Sequence, residues 1–151
     1  MMAENETVGT EIKLIIFKLG REEYGMDILR VQEIKRMMGI TRVPSTPTFI
    51  KGVINLRGSV LPVIDLRTRL GLAENDLTEA ARIIVVLVND GIVGFIVDEV
   101  VEVTTINTQD VEAAQTLSSG LSADFISGIA KADTRLYIML NPDAIVNIAQ
   151  G

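Results

Sequence analysis

Asp65 and Asp98 are the side chains whose type and setting could do chemistry in this sequence. Two carboxylates held in different environments can hydrolyse a bond, one acting as acid and one as base. Other routes are closed, because the 151 residues include no His and no Cys. That removes the near-neutral imidazole base, the thiolate nucleophile, Cys/His zinc sites, disulfides and phosphotransfer through histidine. An internal repeat sets Asp65 against Asn141 and Asp98 against Leu29, so the two aspartates are not symmetry partners. Each also has a plainer job, Asp65 as a helix cap and Asp98 as a turn residue. The expectation is a chain with no catalytic residue, no cofactor and no metal.

Binding chemistry is better provided for. Tyr24-Gly25-Met26-Asp27-Ile28 returns as Val93-Gly94-Phe95-Ile96-Val97, with the two glycines 69 positions apart. At that offset Val31 falls on Val100, Glu33 on Glu102 and Ile34 on Val103. Phe49-Ile50-Lys51-Gly52-Val53 returns as Phe125-Ile126-Ser127-Gly128-Ile129 at an offset of 76, with Val60 on Leu136. Two such units leave a seam between them. Val31, Ile34, Val100 and Val103 form two repeat-related pairs. They are either ordinary core residues or an apolar trough able to take a helix. Arg57, in a tight turn, is either solvated or offers five rigid donors to carboxylates and helix carbonyls. Met37, Met38 and Ile40 cluster beside a loop, where pliable Met suits an adaptable contact or plugs a barrel end.

The elements that position these groups are mostly strands. Residues 12–19, 24–28, 51–56, 59–64, 83–88, 92–97, 100–106, 125–130 and 135–140 read as strands, and 31–38 as a strand or a short helix followed by one. Gly25 marks a bulge or a close approach. Hairpin turns fall at Arg57-Gly58, Asn89-Asp90-Gly91 and Asp133-Thr134. Asp65 caps a helical turn over 66–70 that Gly71 ends, and Asn141-Pro142 opens a last helix over 144–148. Pro44 and Pro47 punctuate a connector, and 116–124 is a loop. The predicted division is a polar tail over 1–11, subdomain one over about 12–71, a connector over 72–81, and subdomain two over about 82–151. About five short strands per unit close into a small barrel, which removes exposed edges.

Composition agrees with that class. Apolar residues make up 48% of the chain, aromatics only 4%, and Trp is absent, so the core is aliphatic and β-favouring. A net charge of −6 and a pI near 4.7 argue against nucleic acid and against an anionic membrane surface. The tail lacks the apolar stretch of a signal peptide, and the longest apolar run, 83–88, is too short to span a bilayer. A cytoplasmic location and a protein or small-ligand partner are the expectation.

Phe49-Ile50-Lys51-Gly52-Val53-Ile54-Asn55-Leu56-Arg57-Gly58, running into Leu61-Pro62-Val63-Ile64-Asp65-Leu66, closely resembles the signature of the chemotaxis coupling (CheW) family. So do Glu23-Tyr24-Gly25-Met26-Asp27-Ile28 with Val31-Gln32-Glu33-Ile34, and Val93-Gly94-Phe95-Ile96-Val97-Asp98. The likeness runs from about residue 12 to the C-terminus. It implies a mostly β fold of two tandem SH3-like five-stranded barrels with short helices. It also implies a non-enzymatic adaptor, monomeric by itself and built into ring assemblies. The implied partners are the cytoplasmic tips of chemoreceptors (methyl-accepting chemotaxis proteins) and the regulatory domain of the histidine kinase CheA. The adaptor would be recruited through receptors to the inner face of the membrane, without inserting in it. Carried over residue by residue, the implied receptor-binding groove is Val31, Ile34, Gly52, Arg57, Val100 and Val103. The expected kinase-binding surface is Glu33, Met37, Met38 and Ile40. No kinase, dimerisation or receiver segment is recognisable, so the chain resembles the free-standing adaptor. The competing expectation is a small-ligand-binding double β-barrel sensor with a pocket in the seam.

Overall fold

The computed structural model describes residues 10–73, 75–89, 91–113 and 123–147. Most of the expected tail, Asp90 of the Asn89-Asp90-Gly91 turn, most of the loop over 116–124 and the end of the last helix lie outside the described residues.

Strands dominate. They are β1 (Glu11–Leu19), β2 (Glu22–Asp27), β3 (Val31–Arg36), β4 (Ile50–Leu56), β5 (Ser59–Asp65), β6 (Arg82–Val88), β7 (Gly91–Val97), β8 (Glu99–Asn107), β9 (Val111–Glu112), β10 (Ile126–Ala132) and β11 (Arg135–Leu140). Two short helices follow the β5 and β11 strands, α1 (Leu66–Arg69) and α2 (Pro142–Val146). Residues after Asp27 form a single 3-10 turn, Ile28–Arg30, and then a strand, which resolves the ambiguity at 31–38.

The strands make a six-stranded sheet in the order β8-β1-β2-β11-β10-β9 and a five-stranded sheet in the order β3-β6-β7-β5-β4. Under the sequence repeat, β1 to β5 match β6, β7, β8, β10 and β11. The two sheets then have the same order, with the copies exchanged. This corrects the expected division into a barrel over 12–71 followed by one over 82–151. The first copy gives β1 and β2 to one sheet and β3, β4 and β5 to the other; the second copy does the reverse. The cause is pairing: β2 joins β11 in parallel and β5 joins β7 in parallel, so each copy's opening hairpin is completed by the other copy's closing hairpin. The chain crosses between sheets at equivalent points, the turn at 28–30 and the single residue Asp98. The seven extra residues of the second copy lie between β8 and β10, where a 3-10 turn and β9 intervene.

Each sheet curls until an edge strand's continuation meets the far edge. Thr41, beyond β3, bridges Val53 of β4, and β9, beyond β8, pairs with β10. β1 and β6 are buried on both faces, which is why their sequences are nearly unbroken apolar runs. On β6, Ile83 and Val85 enter one barrel's interior with Ile54, Leu61 and Val63. On β1, Leu14 and Ile16 enter the other's with Ile106 and Tyr137. Their alternate neighbours, Ile15, Phe17, Ile84 and Val86, join the largest cluster, which lies between the barrels and includes Phe49, Phe95 and Phe125. Gly25 is a close-approach site within a regular β1–β2 ladder, since a Cβ there would lie 3.1 Å from Leu14 Cδ1.

Candidate functional site

In a regular strand, residues three apart face opposite ways. Val31 and Ile34 do not, because the β3–β6 register shifts between Val31 and Glu33. The bulge sets Val31 across from Val86 and Ile34 across from Ile84, both members of the inter-barrel cluster. The same device recurs on β8. A register shift sets Val100 opposite Phe17 and Val103 opposite Ile15, again both in that cluster. Two bulges thus turn all four aliphatics toward the faces that meet at the seam. Val31 and Val100 pack on its core. Ile34 and Val103 are 42% and 53% exposed, leaving apolar surface beside the seam.

Arg57 opens the β4–β5 turn in the left-handed region, at φ 51°, followed by Gly58 at φ 90°. This is a turn with two left-handed residues, and Asn55 Oδ1 accepts the Gly58 N–H at 2.9 Å. Arg57 grips Glu33 through both terminal nitrogens. Hydrogen bonding to Arg57 holds the Glu33 carboxyl below its ordinary range, and Glu33 raises the Arg57 pKa in return. The pair ties β3 to the turn after β4, across the closure of the five-stranded barrel. Glu33, expected on the kinase surface, and Arg57, expected in the receptor groove, are therefore one ion pair. The second barrel has a counterpart. Glu102, the repeat mate of Glu33, faces Arg135 at 3.5 Å, and Arg135 also grips Glu23.

Gly52 stands apart from the other groove candidates. At φ 149°, its missing Cβ points at the carbonyl of Thr41 and at Ile40, so its glycine serves the barrel's own closure. Met37 and Ile40 pack against the barrel interior, as a plug does, while Met38 is 36% exposed. Met37 and Ile40 also line a cavity of about 970 Å³ with Pro44, Pro47 and Lys51.

Asp65 and Asp98 are separately employed. Asp65 Oδ1 accepts the Arg67 N–H at 3.0 Å and caps α1, as Asn141 caps α2. Asp98 accepts from Arg67 Nε at 3.0 Å, Arg67 Nη2 at 2.5 Å and the Gly20 N–H at 2.7 Å. Burial pushes the Asp98 carboxyl up, but these hydrogen bonds and the Arg67 charge outweigh it, and its pKa ends lowered. At the other crossover the charges are exchanged. Asp143 Oδ1 accepts from Arg30 Nη2 at 2.6 Å and from the Asn89 N–H at 3.0 Å. Among the described residues, no cluster of three or more acidic side chains could hold a metal, and no helix is long and apolar enough to cross a membrane.

The CheW-like domain family matches residues 13–150. The chain belongs to the CheW-like domain family. It is 37% identical over 144 residues to the chemotaxis protein CheW of Klebsiella aerogenes, covering 94% of this chain and 84% of that one. It is 38% identical over 143 residues to the CheW of Bacillus subtilis, covering 93% and 90%. The crystal structure of the scaffolding protein TtCheW from Thermoanaerobacter tengcongensis superposes with a TM-score of 0.88 at 35% identity, covering 94% of this chain and 97% of that one. As a member of the CheW family the chain is a chemotaxis coupling adaptor and not an enzyme.

Two features of this CheW-type site escape sequence reasoning. The bulges that align the aliphatic pairs left no mark beyond the three-residue spacing itself. Arg69, buried in the seam, carries no motif; its only herald was the repeat of Phe49 as Phe125.

Proposed function

We infer that this adaptor couples chemoreceptors to the histidine kinase CheA by binding both at once on different parts of one rigid body. The receptor's cytoplasmic tip is helical in this reading, and it lies on the apolar strip of Val31, Ile34, Val100 and Val103, with Arg57 at the rim. The observation that carries the reading is the pair of bulges, which turn four repeat-related aliphatics toward one seam and leave two of them exposed. A helix laid there buries its own apolar face. The regulatory domain of the kinase docks on the end of the five-stranded barrel, where Met38 is exposed beside the loop carrying Pro44 and Pro47. Two adjacent weak interfaces on one adaptor raise the effective concentration of receptor and kinase for each other. The protein works in the cytoplasm and reaches the inner face of the membrane through the receptor.

Co-sedimentation with a receptor signalling fragment and a CheA fragment, separately and together, tests this. Val31→Asp places a charge on the strip and abolishes receptor sedimentation while kinase binding persists. A folded Val31→Asp protein that still sediments with receptor overturns the groove assignment.

A further inference from the structure

Arg69 lies in the seam, 8% exposed. Its guanidinium carbon is 4.2 Å from the centroid of Phe49 and 4.7 Å from that of Phe125. These two rings are repeat mates, and each leads into a strand of a different barrel. The backbone holds them alike: Phe49 O accepts the Asp65 N–H and Phe125 O the Asn141 N–H, both at 2.8 Å. Arg69 itself ends α1, which follows one barrel. Its Nε and Nη2 donate at 2.8 Å to Ile145 O and Asn147 O, at the end of α2, which follows the other. At the second repeat offset, position 69 matches position 145. One copy supplies the cation and the other the carbonyl that receives it.

No ion pair among the described residues includes Arg69. A buried cation without a carboxylate is not the way to gain stability, since an apolar side chain of like volume often stabilises more. A planar guanidinium between two rings, with two fixed carbonyl bonds, is directional where an apolar filler is not. We propose that Arg69 is a positioning residue: its cation fixes the angle at which the two barrels meet, and with it the spacing of Val31 and Val100, which pack on the same cluster as the two rings. The functional half of the proposal rests on the seam being the receptor site.

The test uses the full chain, with Arg69→Met and Arg69→Lys compared with the parent. Because the chain has no Cys, Lys13→Cys and Ser59→Cys, on exposed positions of opposite barrels, take spin labels cleanly for pulsed distance measurement. Arg69→Met is expected to fold with an equal or higher Tm and a broadened inter-barrel distance distribution. It binds a receptor signalling fragment about tenfold more weakly, while affinity for a CheA fragment is unchanged. Arg69→Lys keeps a cation between the rings and recovers most of the receptor affinity. An Arg69→Met protein with the parent's distance distribution and receptor affinity overturns the proposal. So does an equal loss for both partners that follows a fall in Tm, the signature of mere destabilisation. Should Val31→Asp leave receptor binding intact, the groove reading falls by itself, and the distance distribution of Arg69→Met alone decides the proposal.

Discussion

Replacing Gly52 by Ala separates a structural from a contact role at a position the family likeness assigns to the receptor groove. At φ 149° a residue with a Cβ is strained, at a cost of about 1–3 kcal/mol. The new methyl runs into the carbonyl of Thr41, a backbone group that cannot swing aside. Relief requires Thr41 and Val53 to part, which breaks the N–H to carbonyl bonds between them at 2.9 and 2.8 Å. At about 1 kcal/mol each, these bring the total to about 3–5 kcal/mol, a large share of the about 5–15 kcal/mol that keeps a domain folded. Calorimetry should then show Tm lowered by about 10 °C. Gly128→Ala is the internal control. Its Cβ meets the Val111 side chain and, at 3.2 Å, Glu112 O, with no positive φ to strain. Its loss should be about half as large, since only the packing contribution remains. A folded Gly52→Ala protein with Tm within about 2 °C of the parent, less than about 1 kcal/mol, refutes the closure argument. If that protein also lost receptor binding, Gly52 would return to the groove.

Two further outcomes follow from the ion pairs. Asp98→Asn leaves Arg67 without its carboxylate at a half-buried crossover and should cost about 2 kcal/mol at neutral pH by urea unfolding. Because the folded pKa of Asp98 is lowered, its contribution is present above the unfolded value of about 4 and is lost as pH falls through the folded pKa. The parent's stability should therefore drop below about pH 4 more steeply than that of Asp98→Asn, and parallel acid profiles count against the pairing. Arg57→His keeps a residue type that tolerates the left-handed turn but loses the two-pronged grip on Glu33. Tm should change little while ternary sedimentation with receptor and CheA fragments falls, and unimpaired sedimentation removes Arg57 from the assembly.

Local structure was legible where neighbours in sequence decide it. The Asp65 and Asn141 caps, the Pro142 helix start and the Arg57-Gly58 turn depend on a few adjacent groups, and all form as their residue types require. The repeat was legible too, since matched glycines and aliphatics survive at matched offsets. What could not be read was which copy completes which sheet. The β2–β11 and β5–β7 ladders are parallel pairings between distant segments, and nothing in a strand's own residues names its partner. The apolar runs of β1 and β6 read as strands, but not as strands buried on both faces with the second face in a seam. The same limit explains Arg69. A lone arginine after Leu66-Arg67-Thr68 reads as solvated until two distant phenylalanines close on it.

The exchange of hairpins changes what kind of machine the adaptor can be. Were each barrel built from one half of the chain, the seam would join two finished domains and could slide or open at modest cost. Here neither half holds a complete sheet, so the two barrels are tied by two crossings of the chain, at 28–30 and at Asp98, and the seam can open only as a hinge about both. Both crossovers are also clamped, Asp98 by Arg67 and Arg30 by Asp143, with the charges exchanged between the two points. A partner that grips the seam is therefore felt by both barrels at once. The exposed side chains Ile34 and Val103 belong to different sheets, and each is one ladder rung from the shared cluster. A signal carried across this body would pass as a change in the angle between the barrels, which Arg69 spans, or through rim groups such as Arg57.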